Sequence, residues 1–139
     1  MSADLVGRWS VDYGYHSAME DEELVFRADG TGWCEWARPG VSEFTVFTWT
    51  ATGPGAVRIV PNRAARGEFE TIVELDPPGP VDAEYSIVEE TRPLYPDMEV
   101  LALRMALPFA VFPAESYGLA NRETPEGDRP YLPWLDDEL

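Results

Sequence analysis

Glu35, Tyr13, Tyr15, His16 and Cys34 are side chains of this 139-residue chain whose types could carry protons or attack an electrophile. Their spacing decides how. Glu35 lies in Thr31–Arg38, which with Glu23–Ala28 flanks Asp29-Gly30, the residue pair of a two-residue type I′ hairpin. Such a turn pairs Ala28 with Thr31, Phe26 with Trp33 and Leu24 with Glu35. It predicts Leu24, Phe26, Trp33 and Glu35 on one face and Val25, Arg27, Cys34 and Trp36 on the other. A carboxyl on that apolar face loses solvation, its pKa rises, and it can serve as general acid or base, with Tyr13 as a second proton carrier. A rim position, or an ion pair with Arg104 or another arginine, would instead leave Glu35 ordinary. His16, the one histidine, falls in a connection and reads as solvated. Cys34 has no histidine expected beside it and reads as inert.

The charge balance removes several chemistries. Twenty-six acidic residues stand against ten basic ones, for a net charge of −16, and every basic residue is arginine. Without lysine there is no Schiff base. The acidic field opposes nucleic-acid backbones and anionic membranes, serves solubility, and leaves a basic protein as the partner it would tolerate. Arg58, Arg63 and Arg66 form the one basic cluster and read as partners for surrounding acids. No metal-ligand spacing, phosphate loop or nucleophile elbow occurs, so no cofactor or metal is expected. A single cysteine excludes an internal disulfide. Met1–Val6 has neither a basic nor an apolar leader region, giving the expectation of a cytoplasmic protein.

The elements that would position these groups are short and alternate in period two. Leu5–Tyr15 places Trp9, Val11, Tyr13 and Tyr15 on one side. The hairpin strands follow, then Ser42–Ala51, Ala56–Val60, Gly67–Leu75, Val81–Thr91 and Glu99–Leu107, separated by turn residues such as Gly53-Pro54-Gly55 and Pro77-Pro78-Gly79-Pro80. Eight strands are predicted over residues 1–107. From Pro108 to the end, 108–139, five prolines forbid a long helix or interior strand, with room for one short helix over Ala114–Arg122. This irregular extension is expected to pack on the same domain or on a partner, because Tyr131-Leu132-Pro133-Trp134-Leu135 is too apolar for solvent.

Gly7-Arg8-Trp9 at the head of strand one, followed by an eight-stranded meander, resembles the calycin superfamily of lipocalins and fatty-acid-binding proteins. The resemblance covers about residues 5 to 107. It implies an all-β, eight-stranded antiparallel up-and-down barrel with Trp9 at the closed end against an arginine from the end of the last strand, here Arg104. With Trp9 inward, Tyr13, Tyr15, Phe26, Trp33, Glu35 and Tyr85 would line a lumen that binds a small hydrophobic or aromatic molecule. No paired-arginine motif for a fatty-acid carboxylate is present. Two other readings stand beside this one: an acidic interaction or inhibitory protein that works through its surface, and a cofactor-independent isomerase, cyclase or hydrolase using Glu35 and Tyr13.

Overall fold

The computed structural model describes residues 3–11, 21–69, 71–110 and 116–124. A single 3-10 turn, Ala3–Leu5, leads into nine strands: β1 Gly7–Ser10, β2 Asp21–Phe26, β3 Thr31–Arg38, β4 Val41–Gly53, β5 Ala56–Glu68, β6 Thr71–Leu75, β7 Val81–Arg92, β8 Tyr95–Met105 and β9 Ser116–Asn121. All belong to one antiparallel sheet in the order β4-β3-β2-β1-β9-β8-β7-β5-β6, and the β4–β5 ladder joins its ends. Eight strands therefore close a ring, and β6 hangs outside it on β5. The all-β antiparallel expectation stands. The strand inventory differs, because the eighth place in the ring belongs to β9 and not to the segment over Gly67–Leu75.

β9 replaces the short helix expected over Ala114–Arg122. Within it Tyr117 and Leu119 turn to one face while Ser116, Gly118 and Ala120 turn to the other, a period-two pattern with glycine where a helix would be weakened. Its ladder to β1 pairs Trp9 with Leu119, and its ladder to β8 pairs Leu103 with Tyr117. Burial of these apolar side chains outweighs the local helix preference.

β5 is longer than the Ala56–Val60 segment expected and runs through Pro61 to Glu68. Residues Ala56–Ile59 pair with β7 and Ala64–Glu68 with β6, so Pro61 stands in the gap where that edge of β5 makes no ladder bond. On the other edge it faces a bulge between Val46 and Phe47. A residue without an N–H fits both conditions.

The β2–β3 register is one residue away from the expected one. Arg27 N–H donates to Thr31 O at 2.8 Å and Gly30 N–H to Arg27 O at 3.1 Å, so Ala28, Asp29 and Gly30 form a three-residue loop with Gly30 at φ 88°. This is a turn followed by a left-handed glycine, which uses the same Asp-Gly pair as a type I′ turn but adds one residue. Leu24 consequently pairs with Cys34, Phe26 with Gly32, Val25 with Trp33 and Glu23 with Glu35. Every β3 side chain changes face relative to β2.

The core lies inside the ring. Leu5, Trp9, Leu24, Phe26, Phe47, Ile59, Leu103 and Tyr117 are fully buried there, with Cys34 and Met105 nearly so. Gly32 is required by this packing, because a Cβ there would lie 2.2 Å from Val25 O and 2.7 Å from the Phe47 ring.

Candidate functional site

One end of the ring is sealed. Trp9 has no exposed surface, and its indole N–H donates to Leu5 O at 2.8 Å, which ties β1 to the 3-10 turn below it. The Arg122 guanidinium lies over the Trp9 ring at 5.6 Å and donates to Val6 O at 2.9 Å and to Asp4 O. Arg104, expected in this role, sits on the outer face opposite Ser116, 57% exposed, and bonds Glu90 at 3.4 Å. The indole–guanidinium closure is therefore made by the residue that follows β9, the strand the sequence reading took for a helix.

Above the closure the lumen is aromatic. Phe26 packs against Phe47 with ring centroids 5.5 Å apart and meets the edge of Trp49 at 5.4 Å. Tyr85, half-buried, packs against the same core from β7 and turns its hydroxyl to Asp4 at 3.3 Å. Phe26 and Tyr85 thus face the ring interior as expected. Tyr13, Tyr15 and His16 lie outside the described residues.

One register step further from the closure, polar groups enter this apolar interior. Glu22 is 1% exposed on the lumen side of β2, two residues from Leu24. Cys34 Sγ–H donates to Glu22 Oε2 at 3.5 Å. Burial first, and the Glu22 charge second, push the Cys34 thiol well above its ordinary pKa, so it remains an S–H donor and not a thiolate nucleophile. Tyr117 approaches from β9. It is fully buried, and among the described residues its hydroxyl has no hydrogen-bond partner. Burial, followed by Cys34 and Glu22, pushes this phenol far above its usual range, so it keeps its proton. At the same level Trp36, paired with Glu22, lies between the guanidiniums of Arg38 at 5.6 Å and Arg66 at 5.7 Å. Arg66 is held by Glu43 at 2.8 Å and Glu68 at 3.3 Å.

No family model, curated protein or solved structure matches this chain. The site is therefore read from its own geometry.

Trp33 and Glu35 require correction, since the register step carries both to the outer face with Val25 and Glu23. Trp33 is buried there beneath the Arg27 guanidinium at 5.3 Å. Glu35 is half-buried across from Glu23, and burial first and the Glu23 charge second raise its pKa to about 7. Desolvation acts as expected, but outside the lumen. The carboxyl inside is Glu22. Its signal in the sequence is its place two residues before Leu24 and four before Phe26, on the face that the hairpin directs inward. Tyr117 is likewise marked by its alternation with Leu119.

Elsewhere charges pair off. Arg58 meets Asp82 at 3.1 Å and Arg63 meets Glu74 at 3.4 Å, while Arg8 holds Glu23 at 2.9 Å. Arg92, with no exposed side-chain surface, is bound by Glu90 at 3.0 Å and Ser116 at 3.3 Å. Among the described residues no group of three His, Cys, Asp or Glu side chains is placed to hold a metal ion. On the lumen face, the buried polar groups among the described residues are the Tyr117 phenol, the Cys34 thiol, the Thr45 hydroxyl and the Glu22 carboxyl, set in apolar surface.

Proposed function

We propose that this chain binds a small apolar or aromatic molecule inside its strand ring, in the manner of the lipocalin-like barrels it resembles. The observation that carries the reading is the Tyr117 hydroxyl, buried without a described partner among apolar side chains. A buried hydroxyl that forms no hydrogen bond costs about 1–3 kcal/mol. A ligand that supplies the missing bond recovers that cost. Binding sites of this kind are mostly apolar with a few convergent polar groups, and an eight-stranded ring has the size that side chains fill or that holds one small ligand. The calycin likeness draws support from the stacking of Arg122 on Trp9, the closure that resemblance implies, made by the arginine at the end of the last strand.

Trp9 in the core and Trp49 beside Phe26 report on the interior. Titration with naphthalene derivatives should give saturable, one-to-one quenching of tryptophan fluorescence. Linear, unsaturable quenching would contradict the reading.

A further inference from the structure

We infer that the molecule the ring selects is neutral and carries a hydrogen-bond acceptor, such as a ketone, ester or amide oxygen, which accepts from Tyr117 Oη. This rests on the binding reading above and names the chemistry of its ligand.

Three observations converge on it. First, the buried Tyr117 hydroxyl is a donor without a described acceptor, and Tyr117 belongs to the same buried cluster as Leu103, Leu24 and Trp9. The Cys34 thiol and the Glu22 carboxyl act on it electrostatically but form no hydrogen bond with it, so a guest acceptor would supply the lone pair it lacks. Second, the interior acceptor nearest in register to Cys34 already receives the Cys34 S–H: Glu22 Oε2 at 3.5 Å. A ligand carboxylate brought to this level would share a desolvated site with the Glu22 carboxyl, and two such groups cannot both ionise without one taking up a proton. Third, of the three described guanidiniums beside the ring interior two are engaged, while Arg38 is exposed over the Trp36 ring. Arg122 is bound to Val6 O and Asp4 O at the seal, and Arg66 is bound to Glu43 and Glu68 beside Trp36. Neither is placed to neutralise an acid head group. The overall charge of −16 opposes anions further. An apolar body with one neutral acceptor meets every one of these conditions.

The test compares three probes of one shape, naphthyl methyl ketone, ethylnaphthalene and naphthoate, by tryptophan quenching on the wild type and on Tyr117→Phe. The ketone should bind the wild type about tenfold tighter than ethylnaphthalene, the worth of one net hydrogen bond. Naphthoate should bind weakest of the three. Tyr117→Phe should erase the ketone's advantage and leave ethylnaphthalene unchanged. The infrared carbonyl stretch of the bound ketone should shift down in the wild type and return toward its apolar-solvent value in the variant.

Equal binding of ketone and ethylnaphthalene to the wild type overturns the inference while the binding reading survives. Equal weakening of both by Tyr117→Phe does the same. Tightest binding by naphthoate overturns the neutral-ligand claim. Failure of all three probes to bind overturns the binding reading itself.

Discussion

The seal and the layer next to it treat polar atoms in opposite ways. At the seal, the Trp9 N–H reaches Leu5 O and the Arg122 guanidinium reaches two backbone carbonyls while stacking on the indole. Every described contact there joins one part of the chain to another, which is what closure requires. Glu22 and Tyr117 lie one register step past Trp9, Cys34 is level with it through Leu24, and Tyr117 has a buried hydroxyl that no described residue meets. The seal satisfies its polar atoms internally, whereas the layer next to it leaves a donor unmet, and the proposed ligand would meet it.

That contrast can be broken most forcefully at the seal. Trp9→Ala should lower the unfolding free energy by about 3–5 kcal/mol, the usual cost of deleting a large buried aromatic. A loss below about 1 kcal/mol in a urea titration would mean that Trp9 seals nothing.

The next effect lies on the outer face. Glu35 holds its proton up to about pH 7 in the folded chain, because burial and Glu23 disfavour its charge, whereas the unfolded chain releases it in the ordinary carboxylate range. Between those limits the folded state binds the extra proton, so stability falls as pH rises through the window and is level above it. Glu35→Gln should remove that slope. With allowance for partial exposure, the variant gains about 2 kcal/mol over the wild type near pH 8 and nothing below about pH 4. Parallel stability curves for the two proteins would show that Glu35 does not titrate as described.

Arg122→Ala should follow with a loss of about 1–2 kcal/mol, from the stacking contact and the charged bonds to carbonyls. Arg104→Ala should change stability by less than about 0.5 kcal/mol, since its single partner is met at the surface. The reverse order would return the closure to Arg104.

Much of this was legible in the residues. Period-two alternation in Val81–Thr91 and around Trp9 marked strands that exist, and Asp29-Gly30 marked a real turn. What Asp-Gly does not encode is whether two or three residues make the loop, because a left-handed glycine serves both. That single residue moved Trp33 and Glu35 outside and left Cys34 facing in. β9 was hidden for a different reason. Its six residues are flanked by a proline-rich sequence, and only pairing with β1 and β8, distant in the chain, makes a strand of them. Once β9 is missed, the arginine at the end of the last strand is taken to be Arg104. Glu22 and Tyr117 could have been found from their alternation with Leu24 and Leu119. Their placement on the two strands that flank β1 could not, since it depends on the β1–β9 pairing.

The last expected effect is opposite in sign to the losses at the seal and is the most telling. If the Tyr117 hydroxyl is a donor held for a guest, removing it from the unliganded protein breaks no internal bond and relieves a buried unpaired group. Tyr117→Phe should then raise the unfolding free energy by about 1–3 kcal/mol, measured in urea with both proteins freed of small molecules. A loss of about 1 kcal/mol or more, on the scale of an ordinary internal hydrogen bond, would show that the hydroxyl serves the fold and is not held for a ligand.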